Sequence, residues 1–215
     1  MILRVILADD HPFVLLGTRV SLAAHADVAV VGEAGSPTAL LDLLTGMPCD
    51  VLVTDLTMPE AGGSTADGLS LLTRVRHGWP AMRIVVLTGL TNAAILRAIL
   101  AEGVTGILNK IEPMDELIVA IRRAACGRAY LGKSIVDAIA ATSGDAPGTS
   151  ARRPLSPREA EVVRLFVDGE SISDIARMLG RDIRTVSRQK RDAMVKLGVR
   201  NDAGLFIYVR ANGLL

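Results

Sequence analysis

The sequence of 215 residues predicts an α/β domain with a five-stranded, doubly wound parallel sheet, followed by a small all-α domain. Three observations predict this organisation: five short runs of branched apolar residues, helical periodicity between the runs, and loss of the strand pattern after residue 130. Because the runs do not alternate with polar residues, we expect both faces of the sheet to be covered. The predicted strands are residues 3–8, 28–31, 51–54, 84–87 and 106–108.

Helical segments separate the predicted strands. Five strand–helix repeats favour right-handed crossovers, and we expect the strand order 2-1-3-4-5. Two of the segments carry an apolar stripe at helical spacing. The stripes are Ile95, Leu96, Ile99 and Leu100 in one segment and Leu117, Ile118, Ile121, Ala124 and Ala125 in the other.

A linker is predicted at residues 142–154, which are small, polar and rich in turn-forming residues. The helical stretch before it, residues 133–141, either extends the first domain or begins the connection. We therefore expect a first domain at residues 1–130, a connecting helix and linker at 131–154, and a second domain at 155–215.

The second domain is predicted to contain three short helices joined by turns with glycine. Ser156 is a candidate N-cap, with Pro157 in the first turn and Glu159 at capping-box spacing. This first helix ends near Gly169, and the next two cover residues 171–179 and 184–197. Their arrangement is typical of a helix-turn-helix.

Charge divides the chain into an acidic front and a basic tail. Residues 1–140 contain 11 Lys and Arg and 14 Asp and Glu, a net charge of −3, whereas residues 141–215 contain 13 and 9, a net charge of +4. Residues 181–200 hold seven basic and two acidic side chains. The asymmetry suggests two modules with different partners, although a basic helix is also often a solvated face.

Composition excludes several classes of protein. With 50% hydrophobic and 22% charged residues, the chain is not typical of a disordered protein. We find no run of about 18 apolar residues and no signal-peptide pattern, so we expect a cytoplasmic protein without a membrane segment. Cys49 and Cys126 are far apart and lack metal-site spacing, which favours two reduced thiols.

Polar residues follow four of the predicted strands: Asp9 and Asp10 the first, Asp55 the third, Thr88 the fourth and Lys110 the fifth. In a sheet of order 2-1-3-4-5 these strand ends share one edge, where ligands bind. Each residue alone also has an ordinary explanation, because Asp and Thr cap helices and a lysine can be solvated.

Together these residues indicate phosphoryl chemistry. Three carboxylates in one crevice repel each other unless a cation joins them, and a set of oxygen ligands favours Mg²⁺. A hydroxyl and an ammonium at the same edge can hold phosphoryl oxygens, and aspartate can attack phosphorus to form an aspartyl-phosphate.

The strand-end motifs resemble those of bacterial two-component response regulators, over residues 1 to about 130. The resemblance implies that Asp55 is the phosphoacceptor and that Thr88 and Lys110 bind the phosphoryl group. The matching motifs are Ala8-Asp9-Asp10-His11-Pro12, Thr54-Asp55-Leu56-Thr57-Met58-Pro59, Asp67-Gly68, Val86-Leu87-Thr88 and Lys110.

The same resemblance implies a magnesium site. Asp10 would bind Mg²⁺ directly, Asp9 largely through water, and Asp55 and the backbone carbonyl of Thr57 would complete the site. Two features depart from the family pattern. Ile107 stands where the family usually has a rotating Tyr or Phe, and residues 60–66 form an extended loop that is either a surface insertion or a partner contact.

The third helix of the second domain is predicted to be amphipathic. At 100° per residue, Ala193 and Leu197 fall within about 20° of Val186 and form a core stripe. An opposite face with arginines suits the DNA major groove, and the low aromatic content of 3% argues against single-strand or RNA stacking. That face contains Arg184, Arg188, Arg191 and Val195, with Ser187 on its flank.

This domain resembles the LuxR-type helix-turn-helix of NarL/FixJ-class regulators. The resemblance implies that Ser187, Arg188 and Arg191 face bases or nearby backbone and that Arg184 and Lys190 contact phosphate. Gln189 stands where the family often has His. The matching motifs are Leu155-Ser156-Pro157-Arg158-Glu159, Ile175-Ala176, Thr185-Val186-Ser187 and Lys196-Leu197-Gly198-Val199.

The sequence therefore predicts a transcription regulator that binds double-stranded DNA. A histidine kinase or phosphotransfer protein would phosphorylate Asp55 with Mg²⁺, and a homodimer would engage two half-sites. A phosphohydrolase is disfavoured because no clear general acid or base accompanies Asp55, so we expect no enzyme. The absence of an aromatic residue at Ile107 keeps open a regulator that acts without phosphorylation, through a partner protein or a heterodimer.

Overall fold

The computed structural model describes residues 2–59, 68–141, 155–199 and 202–211. The chain forms two compact units, Met1–Ala140 and Ala141–Leu215. The loop at 60–66 and the linker at 142–154, both singled out in the sequence, lie outside the described residues. None of the described helices is long and apolar enough to cross a membrane.

The first unit is a parallel sheet flanked by helices, as predicted. The sheet has the order β2-β1-β3-β4-β5-β6. Its strands are β1 Leu3–Ala8, β2 Val28–Ala34, β3 Val51–Thr54, β4 Arg83–Thr88, β5 Gly106–Asn109 and β6 Tyr130–Leu131. The helices are α1 Pro12–Ala23, α2 Pro37–Gly46, α3 Gly68–Gly78, α4 Ala93–Ala101, α5 Met114–Ala125 and α6 Lys133–Ala140.

The predicted number of five strands is wrong, because the sheet has a sixth. In β6, Tyr130 pairs with Gly106 and Leu131 with Ile107, both parallel to β5. A strand of two residues is too short to show an alternating or continuous apolar pattern, so the sequence gives no sign of it. The order of the other five strands is the predicted one.

One hydrophobic cluster packs the sheet against α1 and α5 and holds the strands in register. Alternate residues of the strands point to one face of the sheet, which packs against Leu22 of α1 and Leu117 and Ile121 of α5. The buried strand residues in this cluster are Val5, Leu7, Val28, Val51, Val53, Val85, Leu87 and Leu108. Packing on this face fixes the register at which β1, β3, β4 and β5 reach the carboxyl edge.

The second unit contains four described helices: α7 Pro157–Val167, α8 Ile172–Leu179, α9 Ile183–Leu197 and α10 Asp202–Ala211. The predicted capping box is confirmed, because Ser156 accepts the Glu159 N–H and the Glu159 carboxylate accepts the Ser156 N–H. Gly180 and Gly198 end α8 and α9 in the left-handed conformation that glycine favours. Helix α10 was not predicted.

Candidate functional site

The carboxyl ends of β1 and β3 bring three predicted acids together. Asp9 and Asp10 follow β1, and Asp55 follows the adjacent strand β3. The backbone N–H of Asp55 donates a hydrogen bond to the Ala8 carbonyl at 2.7 Å, which continues the pairing of the two strands. One ligand atom from each of Asp9, Asp10, His11 and Asp55 can be chosen so that all lie within 4.8 Å of one another. This is close enough for a single cation to contact them together.

Lys110 lies between two of these acids. Its Nζ is 2.6 Å from Asp9 Oδ2 and 2.9 Å from Asp55 Oδ2. Asp9 and Asp55 are only 3% and 2% exposed, so the ammonium balances charge that water does not reach. Burial alone lowers the pKa of Lys110, but the charge of Asp55 and the hydrogen bonds to Asp9 and Asp55 outweigh burial, and the pKa is raised. Lys110 therefore stays charged.

Both oxygens of Asp55 are held by neighbours. Oδ1 accepts the backbone N–H of Leu56 at 2.6 Å, and Oδ2 accepts the Thr57 hydroxyl at 3.1 Å in addition to Lys110. These bonds orient the carboxylate and leave little freedom for its side chain. An oriented, buried carboxylate beside an ammonium is suited to receive a phosphoryl group.

Thr88 reaches the same edge but is engaged locally. Its buried hydroxyl accepts the Leu90 N–H at 3.1 Å, and no hydrogen bond joins it to another of the site residues among those described. Its backbone carbonyl accepts the Lys110 N–H at 2.9 Å. Ile107 is completely buried in β5, so the position of the family's aromatic residue is filled by core packing here.

The sequence analysis did not single out His11 as a ligand. Its Nδ1 lies 3.1 Å from Asp9 Oδ1 and 2.9 Å from Asp10 Oδ1, at the exposed rim of the cluster. The available signal was its position directly after two acids at a strand end. The three carboxylates fit a hard divalent cation, and the imidazole adds a nitrogen donor.

The second candidate surface is one face of α9. Val186, Ala193 and Leu197 are buried, as the predicted stripe requires. On the other side Arg184, Arg188 and Arg191 are exposed and form no ion pair with any residue that the structure describes.

Two further residues lie on or near this surface. Val195 is 75% exposed in line with the arginines, and Ser187 is half-buried beside them. The face thus combines unneutralised guanidinium groups with one apolar and one hydroxyl side chain.

Lys190 is placed differently from the arginines. Its side chain is 16% exposed, with Nζ 2.7 Å from Asp202 Oδ1 of α10 and 3.9 Å from the centroid of the Phe166 ring of α7. The positive charge of Lys190 is therefore engaged by an ion pair and a cation–π contact inside the second unit. The predicted phosphate contact would require Lys190 to leave both partners.

The carboxyl end of α9 is tied to the start of α7. Lys196 Nζ lies 2.6 Å from Glu159 Oε2, the carboxylate that also accepts the Ser156 N–H at 2.7 Å. The bond from Lys196, opposed by burial, lowers the pKa of Glu159. One buried carboxylate therefore both caps α7 and anchors α9.

Comparisons with known proteins identify the class. A family model described as response regulator receiver domain matches residues 5–122, and one described as bacterial regulatory proteins, luxR family, matches residues 153–209. The chain belongs to the response regulators that join a receiver domain to a domain of the luxR family.

Within this class the chain is similar to RcsB. It is 40% identical to the transcriptional regulatory protein RcsB of Escherichia coli K12 over 207 residues, 96% of this chain and 94% of RcsB. It is 29% identical over 213 residues to the transcriptional regulatory protein MctR of Rhizobium johnstonii, 99% of this chain and 95% of MctR.

Solved structures of RcsB are also similar. RcsB of Salmonella enterica serovar Typhimurium, bound to promoter P1flhDC in the presence of the phosphomimetic BeF3−, is 38% identical with a TM-score of 0.66 and covers 98% of each chain. A structure of two RcsB dimers bound to two parallel DNAs is 37% identical with a TM-score of 0.65, over 98% of this chain and 99% of that one.

Proposed function

We propose that this response regulator stores a phosphoryl group on Asp55 and binds double-stranded DNA through α9 to control transcription. Residues 1–130 would form the receiver domain, residues 131–154 the connecting helix and linker, and residues 155–215 the DNA-binding domain. The observation that carries the proposal is the buried Asp55 carboxylate, oriented by Leu56 and Thr57 with the Lys110 ammonium 2.9 Å from Oδ2.

This geometry supports the phosphoryl step that we propose. An oxygen of Asp55 attacks the phosphorus of a phosphohistidine on a histidine kinase or phosphotransfer protein, and the P–N bond breaks as the imidazole leaves with a proton. The Lys110 ammonium then leaves Asp55 Oδ2 and pairs with an oxygen of the phosphoryl group. The Thr88 hydroxyl donates a hydrogen bond to a second phosphoryl oxygen. We expect the phosphoryl group to be stored as a signal, not turned over as in an enzyme.

A divalent cation, Mg²⁺, would be held by Asp9, Asp10 and Asp55 with the backbone carbonyl of Thr57. It would supply positive charge that offsets repulsion between the three carboxylates and the incoming phosphoryl oxygens. Lys110 supplies a further part of this neutralisation, as its contacts with Asp9 and Asp55 indicate.

The DNA proposal rests on the exposed arginines of α9. Arg188 and Arg191, with Ser187, would contact base edges or nearby backbone in the major groove, and Arg184 would contact phosphate. RcsB dimers bind DNA, which supports a homodimer on double-stranded DNA here, formed on phosphorylation. A heterodimer with another regulator is the alternative assembly. We expect the protein to act in the cytoplasm.

Intact mass tests the phosphoryl step. The full-length protein and its Asp55→Asn variant are incubated with acetyl phosphate, with and without Mg²⁺. We expect one Mg²⁺-dependent phosphoryl adduct that is absent from the variant. A phosphoryl adduct of equal yield on the variant would assign the phosphoacceptor to another residue.

A second candidate function is regulation by a partner protein without phosphorylation. The observation that favours it is Ile107, which is fully buried where the family usually has a mobile aromatic side chain. DNA affinity of the Asp55→Asn variant separates the two functions. Affinity that acetyl phosphate raises in the wild type but not in the variant supports the phosphoryl switch, and equal affinity of all four samples supports the partner.

A further inference from the structure

Thr18 is a polar residue at a core position of α1. It shares the buried face of the helix with Leu22 and is only 2% exposed. A threonine in a helix usually donates its hydroxyl proton to a carbonyl three or four residues earlier. Thr18 Oγ1 has no hydrogen-bond partner among the described residues. The hydroxyl is therefore out of contact with solvent and unused by the backbone.

A hydroxyl at such a place lowers stability unless something bonds to it. Valine has nearly the same shape and would fill the same space without a polar atom to satisfy. Buried polar groups in native proteins are almost always hydrogen-bonded, to protein or to ordered water. A partner for Thr18 is therefore expected close to its hydroxyl.

The space next to Thr18 joins it to the phosphoacceptor site. A cavity of about 10 Å³ is lined by Thr18, Asp9 and Asp55, with apolar walls from Leu7 and Val53 among others. Residues two apart along a strand lie on the same face of the sheet. Asp9 is two residues after Leu7 of β1, and Asp55 is two residues after Val53 of β3. Both carboxylates therefore lie on the side of the sheet that packs against α1. A volume of this size holds about one water molecule.

Of the two carboxylates, Asp9 has room for another hydrogen bond. Both Asp55 oxygens already accept hydrogen bonds. Asp9 Oδ2 has the Lys110 ammonium at 2.6 Å and no other partner among the described residues, and a carboxylate oxygen can accept a second hydrogen bond. A water molecule in the cavity can accept a hydrogen bond from the Thr18 hydroxyl and donate a hydrogen bond to Asp9 Oδ2.

We propose that this cavity holds one water molecule that links Thr18 Oγ1 to Asp9 Oδ2, which makes Thr18 a positioning residue for the phosphoacceptor site. The water fixes the rotamer of Asp9, and Asp9 in turn places Lys110 beside Asp55. The consequence for phosphorylation rests on the function proposed above. The water itself does not, so the two can be tested separately.

The first measurement is the urea midpoint of the receiver domain in the full-length Thr18→Val variant. If the hydroxyl has a water partner, its removal breaks the hydrogen bonds that join Thr18 to Asp9 through the water, and we expect a lower midpoint than in the wild type. If the hydroxyl has no partner, valine removes an unsatisfied group. An unchanged or higher midpoint would therefore overturn the proposal, whether or not Asp55 is phosphorylated.

A double-mutant cycle with Asp9→Asn tests the path through Asp9. We expect the midpoint loss caused by Thr18→Val to shrink in the Asp9→Asn background, since the charged acceptor is gone. A loss of equal size in both backgrounds would reduce Thr18 to a packing residue and would also overturn the proposal.

The rate of phosphorylation by acetyl phosphate gives the functional readout. We expect Thr18→Val to be slower by about threefold to tenfold, the range for one lost hydrogen bond. Thr18→Ser keeps the hydroxyl and should restore the rate to within about twofold of the wild type. Equal rates for Val and Ser variants would contradict a role of the hydroxyl. If the wild type forms no phosphoryl adduct, that result counts against the function proposed above. The urea midpoints would still show whether a water molecule links Thr18 to Asp9.

Discussion

The acidic edge of the sheet and the exposed face of α9 use charge in opposite ways. At the edge, Asp9 and Asp55 are buried and their charge is compensated within the protein by Lys110. On α9, Arg188 and Arg191 are exposed and no described residue neutralises them. The charge of the first region is therefore available only to a ligand that replaces an existing partner, whereas the charge of the second is uncompensated among the described residues.

The two lysines Lys110 and Lys190 show that residue type alone does not decide between these uses. Lys110 is held by two acids of the site, and Lys190 by Asp202 and the ring of Phe166. Both are internal cations, although Lys190 belongs to a helix whose arginines face outward. Compensation of charge by the surroundings is thus the property that separates the regions, and each of the following variants alters it.

The largest effect is expected from removing the internal cation at the acidic edge. In Lys110→Met, the buried Asp9 and Asp55 carboxylates lose their shared partner, and we expect the free energy of unfolding to fall by about 3 kcal/mol without divalent cations. Saturating Mg²⁺ should reduce this deficit relative to the wild type, because the cation binds the folded site and is held more tightly by carboxylates that the lysine no longer neutralises. Urea unfolding with EDTA and with Mg²⁺ measures both quantities.

Lys133→Met is the matched control for this variant. Lys133 is exposed at the start of α6, and its loss should change stability little under either condition. A deficit of Lys110→Met that is the same with EDTA and with saturating Mg²⁺ would mean that packing of the lysine stem, not charge compensation, accounts for the loss.

A smaller effect is expected on α9, where neighbouring cations should differ in their salt dependence. In Arg191→Met, the slope of log affinity for a random-sequence duplex against log salt concentration should become shallower by about 0.9, as one phosphate contact is lost. In Lys190→Met the slope should not change, since Asp202 and Phe166 already hold the ammonium. Fluorescence anisotropy with labelled duplex over a series of KCl concentrations gives both slopes.

The two variants introduce the same side chain at adjacent positions, so each controls for the other. Equal changes of slope would show that Lys190 leaves Asp202 to bind phosphate, as the family resemblance implies. No change in either would mean that Arg191 makes no phosphate contact and would leave base contact as its proposed role.

The sequence predicted the acidic edge well because topology determines it. Parallel strands end at one edge, so residues such as Asp9 and Asp55, which follow adjacent strands, converge whatever the loops do. Helical periodicity likewise predicted the buried stripe of α9. It did not show that Asp202 and Phe166 lie under Lys190, because those contacts depend on how α7 and α10 pack against α9.

Three other features escaped prediction for physical reasons. Strand β6 has two residues, a single period of strand alternation, which is too short to be recognised as a pattern. The buried side chains of α10 include Leu205, Ile207, Tyr208 and Val209, a nearly continuous apolar run that periodicity cannot assign to a helix or a strand. Thr18 was missed because a pattern of apolar spacing treats a buried threonine as a surface residue.

The smallest effect is expected where one carboxylate links two helices of the second unit. Glu159→Gln weakens both the cap of α7 and the ion pair with Lys196, and we expect a loss of about 1 kcal/mol at pH 7. The pKa of Glu159 is lowered in the folded state from its ordinary value of 4.5, so its ionised form stabilises the fold above that pH. This contribution is lost as the pH falls through the folded-state pKa.

The difference between wild type and Glu159→Gln should therefore be constant at neutral pH and shrink below pH 4.5, as measured by urea unfolding of the full chain at several pH values. Asp192→Asn is the matched control, because Asp192 is an exposed acid on α9 and should give no such difference. A difference that persists at the lowest pH would show that Glu159 stabilises the domain by its shape and hydrogen bonding. In that case charge compensation would matter at the acidic edge of the receiver and not in the link between α7 and α9.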